Sequence, residues 1–116
     1  MDFYQFSTKN PPGYEIAGVA KTIRKNSAGK YLSMQPEERD IYEWMYGEVW
    51  INDYYMDGFS NKERELVIVH EMLHVFGSKD MYKPTSILHY SMDNIRYNGV
   101  NGVTSDANNM LKSKYQ

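Results

Sequence analysis

Residues 60–80 read SNKERELVIVHEMLHVFGSKD, and this stretch carries the signals for one helix with a defined start and end. Ser60 followed three residues later by Glu63 forms a capping-box pattern, and Gly77 is typical of a residue that ends a helix. Between these signals the apolar residues recur every three or four positions. The stretch therefore predicts a helix over residues 61–76 with one side packed on a core.

Two histidines, His70 and His74, lie one turn apart on this predicted helix, with Glu71 beside them. Both imidazoles then project from one face and can reach a single cation at about 2.0–2.1 Å. Glu71 is poorly placed to ligate but well placed to act on a water held by the metal, as H-E-x-x-H motifs require. Only about 0.004 such matches are expected in a shuffled chain of this composition. The alternative is a solvated helix edge without a metal.

The third ligand has to come from residues after His74, where the sequence has no glutamate. An arrangement with a distal glutamate ligand is therefore excluded within this chain. The downstream candidates are Asp80, His89, Asp93 and Asp106. Asp80 completes the pattern H-E-x-x-H-x-x-G-x-x-D, and a turn at Gly77 can bring its carboxylate back to the metal.

The bulk composition excludes several other classes of protein. The chain has 116 residues, a net charge of −2 and no cysteine, and its basic residues are scattered. These values fit one domain, residues 1–116, without a nucleic-acid surface, a disulfide framework or a cysteine-ligated metal. No apolar run is long enough to cross a membrane, and the polar N-terminus lacks the pattern of a secretion signal. Within the domain we expect an upper part, residues 1–77, and a lower part, residues 78–116.

The remaining patterns predict the elements around the central helix: strands over residues 14–23 and 48–52, a short helix over residues 36–46, a long irregular stretch over residues 77–103, and a C-terminal helix capped by Thr104 or Ser105. Long irregular stretches inside compact domains are usually functional. The predicted fold class is α+β, with a small mixed β-sheet packed on the central helix and a cleft above an irregular lower part.

Several segments together resemble the metzincin clan of zinc endopeptidases, whose signature is H-E-x-x-H-x-x-G-x-x-H or D followed by a Met-turn. These segments are the motif itself, GVAKT at 18–22, GEVWIND at 47–53, SILHYSM at 86–92 and VTSDANNMLKSKY at 103–115. The aspartate form is most similar to the snapalysin branch, and the flanking segments are similar to matrixin-like members. The resemblance implies a metzincin-like zincin fold that is N-terminally truncated or minimal. In this fold DFYQF at 2–6 is a candidate for one strand.

The resemblance also implies an activity, zinc-dependent hydrolysis of peptide bonds by a secreted metalloprotease. One catalytic zinc ion would be held by His70, His74 and Asp80, and Glu71 would be the general base and acid. Tyr90 takes the place of the Met-turn tyrosine, which acts at the active site in some branches. A protein or peptide substrate would lie extended along an edge strand near residues 16–23, with no membrane or nucleic-acid partner and a monomeric chain. Nothing in the sequence indicates a structural calcium ion, although it does not exclude one.

The Met-turn-like segment departs from the family pattern, because Leu88 stands where the methionine is expected. Either Leu88 or Met92 supplies the hydrophobic floor under the metal, and leucine is close to methionine in volume. We expect His89 to be a loop histidine and Asp93 to form hydrogen bonds around the site. This departure, with the short N-terminal part, motivates an alternative function: a zinc-binding, catalytically lapsed domain used for protein recognition.

Overall fold

A four-stranded sheet and three helices form the part of the chain that the structure describes. The structure is a computed structural model, and it describes residues 1–12, 15–34, 44–80, 82–83, 85–89 and 98–115. Its elements are β1 (Asp2–Phe6), β2 (Gly18–Lys25), β3 (Tyr31–Ser33), β4 (Tyr46–Asn52), α1 (Asp53–Met56), α2 (Asn61–Val75) and α3 (Ser105–Tyr115). The predicted α+β class with a small mixed sheet is therefore confirmed.

The strands lie in the order β1-β4-β2-β3, with β1 parallel to β4 and the other neighbours antiparallel. Helix α2 packs against one face of this sheet. Gly47 in β4 permits this approach, because a Cβ atom at Gly47 would overlap the side chain of Val75 near the end of α2. The opposite face carries aromatic side chains: Tyr4 and Trp50 stack with ring centroids 4.5 Å apart, and the Lys21 ammonium lies 5.0 Å from the Trp50 ring.

Helix α2 begins at Asn61, as the sequence predicts, and ends at Val75, one residue before the predicted end. At its start the Ser60 hydroxyl accepts a hydrogen bond from the Glu63 backbone N–H, and the Glu63 carboxylate accepts one from the Ser60 N–H. At its end Gly77 has a φ of +100°. The Gly77 N–H donates to the carbonyl of His74 and the Ser78 N–H donates to that of Leu73. This pair of bonds is a Schellman motif, which requires the left-handed conformation that glycine adopts at little cost.

The core below α2 joins the central helix to the lower part of the chain. Its fully buried members are Leu66, Leu73, Ile87, Leu88, Val100 and Ala107, with Val69, Met110 and Leu111 packed around them. These residues come from α2, from the segment around residue 87, from α3 and, for Val100, from the segment before α3. Leu88 has no exposed surface. It therefore belongs to the hydrophobic layer next to the histidine-bearing helix, while Met92 lies outside the described residues.

Some predicted boundaries are wrong. The strand predicted over residues 14–23 begins at Gly18 and continues to Lys25, and the one predicted over 48–52 begins at Tyr46. The helix predicted over 36–46 does not reach its expected end, because residues 44 and 45 are not helical and Tyr46 pairs with Ile23 in the sheet. Strand pairing overrides the local helical spacing there. The rest of that prediction, residues 36–43, lies outside the described residues.

Two further elements agree with the sequence patterns, and two short elements were not predicted. Residues 2–6 do form a strand, β1, and the C-terminal helix begins at Ser105, directly after Thr104. Strand β3 and the one-turn helix α1 were not predicted, because both are too short to show a period. None of the helices in the described ranges is long and apolar enough to cross a membrane.

Candidate metal centre

Three side chains meet just beyond the end of α2: His70 and His74 from the helix, and Asp80 from the segment that follows it. The two Nε2 atoms are 2.9 Å apart. An Asp80 carboxylate oxygen lies 2.8 Å from His74 Nε2 and 3.4 Å from His70 Nε2. Within the described ranges, this is the group of three His, Asp or Glu residues whose ligand atoms lie close enough to hold one ion.

The local geometry of α2 and its terminator brings these residues together. The four-residue spacing places His70 and His74 on one helix face. The Schellman motif at Gly77 then reverses the chain, so that Ser78 passes back beside the helix and Asp80 follows two residues later. The expectation that a turn at Gly77 returns Asp80 to the histidines agrees with this geometry.

Each histidine ring is oriented by a backbone carbonyl on its far side. His70 Nδ1 lies 2.6 Å from the carbonyl oxygen of Ile87, and His74 Nδ1 lies 2.7 Å from that of Ser78. A carbonyl oxygen only accepts, so each Nδ1 has to carry the hydrogen. In a neutral ring the Nε2 atom then has a lone pair and no hydrogen. Both lone pairs therefore point toward each other and toward the Asp80 carboxylate.

This cluster of acceptor atoms fits a bound cation. With neither a cation nor a proton between them, two nitrogen lone pairs and a carboxylate oxygen repel one another at 2.8–3.4 Å. Ligands at about 2.0–2.1 Å from a tetrahedral zinc ion are separated by about 3.3 Å, close to the observed spacing. Hydrogen bonds from Nδ1 to carbonyl oxygens are also the usual way in which proteins orient metal-binding histidines. The donor set and its orientation both fit zinc.

The titration behaviour of the group has the same origin. Burial alone lowers the pKa of His74, but the hydrogen bonds with Asp80 and with the Ser78 carbonyl outweigh burial and raise the pKa. Hydrogen bonds from the His70 and His74 rings hold the pKa of Asp80 well below its usual range. In the absence of a metal the cluster thus favours a proton on a ring nitrogen, and a metal ion competes with that proton.

The centre is enclosed on the helix side and accessible from the Asp80 side. The His70 side chain is 3% exposed, whereas that of Asp80 is 55% exposed. A structural zinc site normally has four protein ligands and is closed, whereas a catalytic site has three and keeps one position accessible. Among the described residues the centre has three candidate ligands and one accessible side, which is the arrangement of a catalytic site.

Glu71 lies beside the three-residue group but does not belong to it. Its Oε1 atom is 4.0 Å from His70 Nε2, and its side chain is 8% exposed. The carboxylate lies over β2, where a Cβ atom added to Gly18 would come 2.9 Å from Glu71 Cγ and 3.3 Å from Oε1. Gly18 therefore leaves the space that the Glu71 side chain occupies. No local pattern in the sequence marks this role of Gly18, because the role depends on a contact across 53 positions.

A hydrogen-bonded network holds the carbonyl that orients His70. The Ser86 hydroxyl donates to Asp106 at 2.5 Å and accepts from the Leu88 N–H at 3.0 Å. The Ile87 N–H donates to the Thr104 hydroxyl at 3.2 Å. The start of α3 thus fixes the segment that contains Ile87. Burial alone would raise the pKa of Asp106, but hydrogen bonds led by that from Ser86 lower it.

The other predicted site residues are not part of the group. His89 is described and buried, but it is not among the three ligand candidates, and Asp106 binds Ser86 instead. Tyr90 and Asp93 lie outside the described residues. The carbonyls of Ser78 and Ile87 that orient the histidine rings could not be predicted, because any residue type supplies a carbonyl and no side-chain signal marks them.

Comparison of this chain with protein-family models, with curated proteins and with solved structures gives no match. The features of this chain that bear on its function are therefore the geometry of His70, Glu71, His74 and Asp80 and the sequence motif.

Proposed function

We propose that this chain is a zinc-dependent endopeptidase of the metzincin type. The observation that carries the proposal is a three-residue acceptor group, His70, His74 and Asp80, that is accessible on one side and has the buried Glu71 carboxylate next to it. In a helix edge that binds no ion, two nitrogen lone pairs directed at a carboxylate would be unfavourable, because all three atoms are acceptors.

The ligand types favour zinc over other common ions. Two imidazole nitrogens and one carboxylate oxygen suit zinc, whereas calcium and magnesium prefer sets made of oxygen alone. With His70, His74 and Asp80 as ligands, a zinc ion supplies Lewis-acid chemistry that makes water nucleophilic near neutral pH and polarises a carbonyl group.

Glu71 is the residue of this chain that moves the proton. Its carboxylate accepts a proton from the attacking water, whose oxygen forms the new bond to the scissile carbonyl carbon. The same proton then passes to the amine nitrogen as the C–N bond breaks. Its carboxylate is buried next to the sheet, in the space that Gly18 leaves open.

An extended polypeptide is the substrate that fits this position. The carboxylate lies above β2, and β2 has an outer edge on the side away from β4. Addition of a strand to such an edge uses backbone hydrogen bonds and tolerates many sequences. This proposal narrows the binding edge from residues 16–23, as expected from the sequence, to the part of β2 that begins at Gly18 and ends before Thr22.

The experiment that tests the proposal is the substitution Glu71→Gln in the zinc-loaded protein. We expect kcat for a cleaved peptide to fall by about 10²–10⁴-fold, which is the usual contribution of a general base. Zinc content should stay at one ion per chain, because glutamine leaves the three ligands intact. Glu65→Gln, a change at an exposed position on the same helix, is the matched control and should leave kcat unchanged.

Two outcomes would contradict the proposal. Chelator-sensitive cleavage that survives Glu71→Gln would exclude the mechanism. One bound zinc ion without cleavage of any member of a diverse peptide library would favour the alternative, a lapsed domain used for recognition. Zinc binding itself is tested with His74→Ala, which should lose the ion, against His89→Gln, which changes the histidine outside the group and should retain it.

A further inference from the structure

The outer edge of β2 has a defined set of backbone groups. In an antiparallel sheet, successive residues direct their N–H and C=O groups to opposite neighbours. The Ile23 carbonyl accepts from the Met45 N–H at 2.7 Å, on the β4 side. The Thr22 carbonyl accepts from the Met34 N–H at 2.8 Å, on the β3 side. The even-numbered residues of β2 therefore direct their backbone groups outward, away from β4.

Strand β3 covers only one end of this outer edge. It pairs with residues 23–25 of β2, and the bond from Met34 extends the cover to the Thr22 carbonyl. Within the described ranges, no strand pairs with the outer side of Gly18 or Ala20. The uncovered part of the edge carries the outward-facing backbone groups of Gly18 and Ala20. It stops before Thr22, which is 1% exposed and lies about 13 Å from Gly18 at the rise of an extended strand.

The candidate catalytic carboxylate lies at the opposite end of this edge from β3. Glu71 Cγ and Oε1 lie 2.9 Å and 3.3 Å from the position of a Cβ atom at Gly18. A peptide paired with the edge, with its reacting bond beside Glu71, thus extends along Ala20 and meets the part covered by β3 and Met34 at Thr22. Toward lower residue numbers, no described strand blocks its path.

We propose that β3 is a barrier that ends the substrate-binding edge, so that only about four residues on one side of the cleaved bond are bound by the sheet. This inference rests on the proposed peptidase function. The substrate is then an extended peptide whose two sides pair with the sheet over different lengths. On the β3 side, residues farther than about four from the cleaved bond leave the sheet and add nothing to recognition. Residues on the other side are not limited by β3.

The first experiment uses a nested series of synthetic peptides around one bond that the protein cleaves in a diverse library. The series adds one to eight residues on either side of that bond. On the limited side kcat/KM should rise up to about four residues, by about fivefold for each new backbone hydrogen bond, and then stay level. A steady rise through eight residues on both sides would overturn the inference.

The variant that tests the role of β3 is Leu32→Pro. Leu32 is paired with Arg24, and proline has no N–H to donate, so the pairing with β2 is lost. The peptide length at which kcat/KM stops rising should then increase by about two residues, because the backbone of Arg24 becomes available to the peptide. Ser33→Pro is the matched control, because the Ser33 N–H points away from β2, and it should leave the plateau at its wild-type length.

A binding measurement separates failure of this inference from failure of the proposed function. Unstructured peptides of eight residues are added to ¹⁵N-labelled protein, and amide signals are followed by NMR. In the wild type the Gly18 and Ala20 amide signals should shift, and the Arg24 amide should join them only in Leu32→Pro. A shifted Arg24 amide in the wild type, or no shift at Gly18 and Ala20, overturns the inference whether or not the peptide is cleaved. No cleavage together with the expected shifts would contradict the peptidase function alone.

Discussion

The sheet with α2 and the segment from Ser78 onward meet at the candidate metal centre, and they contribute different kinds of groups. The upper region supplies side chains, two histidines and a glutamate, from a helix with capped ends. The lower region supplies the third ligand, the Asp80 carboxylate, and the two carbonyl oxygens that orient the histidine rings. The histidines and the groups that orient them thus come from different parts of the chain, and each can be disturbed separately.

The two regions also differ in what holds them in place. The upper region depends on close packing between α2 and the sheet, where Gly47 and Gly18 leave no space for a side chain. The lower region depends on side-chain hydrogen bonds, among them those of Ser86, Thr104 and Asp106. Substitutions in the upper region should therefore affect stability and catalysis most, whereas those in the lower region should affect metal affinity.

The largest effect is expected at the closest contact between the helix and the sheet. Gly47→Ala forces a methyl group into Val75, and overpacking of this kind costs about 2–3 kcal/mol of unfolding free energy. Denaturant unfolding measures the loss. The same substitution in a Val75→Ala background should cost less than about 1 kcal/mol, because the clashing methyl groups are gone. Gly58→Ala is the control, since no atom lies within 4 Å of its added Cβ.

The second effect, on catalysis, is expected at Gly18. Gly18→Ala meets the flexible Glu71 side chain rather than a rigid neighbour, so the carboxylate shifts while the fold is retained. A displacement of about 1 Å in an active site costs up to about 100-fold, and we expect kcat to fall by about 10–100-fold with zinc content unchanged. The check is kcat together with elemental analysis. An unchanged kcat would show that Gly18 does not position Glu71, and Gly102→Ala, in open space, should have no effect.

The third effect, on metal affinity, is expected in the lower region. Ser86→Ala removes the donor to Asp106 and the acceptor for the Leu88 N–H, so the Ile87 carbonyl is less firmly held against His70. Loss of such an orienting interaction weakens metal binding by about 10–100-fold, and we expect about tenfold here. Competition with a chromogenic zinc chelator measures the affinity. Ser33→Ala, at an exposed position in β3, should bind zinc as the wild type does, and equal affinity in Ser86→Ala would contradict the orienting role.

The smallest effect is a pH dependence that arises from Asp106. Its pKa is lower in the folded chain than in the unfolded one, so its ionised form contributes stability that is complete above about pH 5. This contribution is lost as the pH falls through the lowered pKa. The difference in unfolding free energy between the wild type and Asp106→Asn, both metal-free, should be largest near neutral pH and should shrink below about pH 4. A gap that widens on acidification would contradict this sign. Asp57→Asn, at an exposed position, controls for the loss of one negative charge.

The elements that could be predicted from the sequence are those with local signals. The start of α2 follows from Ser60 and Glu63, and its end follows from Gly77, because a cap and a left-handed residue are local requirements. The helix expected to end at residue 46 was wrong at that end, because Tyr46 pairs with Ile23, more than twenty residues away. Spacing alone does not register a partner at that distance.

The candidate site divides along the same line. The sequence by itself determined which side chains converge: the four-residue spacing of His70 and His74 and the turn at Gly77 bring Asp80 to them through local geometry alone. Only the tertiary structure decided the direction of the lone pairs, through the carbonyl of Ile87, and the position of Glu71, through Gly18 of β2. It also decided where the proposed binding edge ends, because β3 has to fold back onto β2 to cover it. The physical reason is that carbonyls, glycine gaps and strand edges are backbone features, which act only on whatever the fold brings next to them.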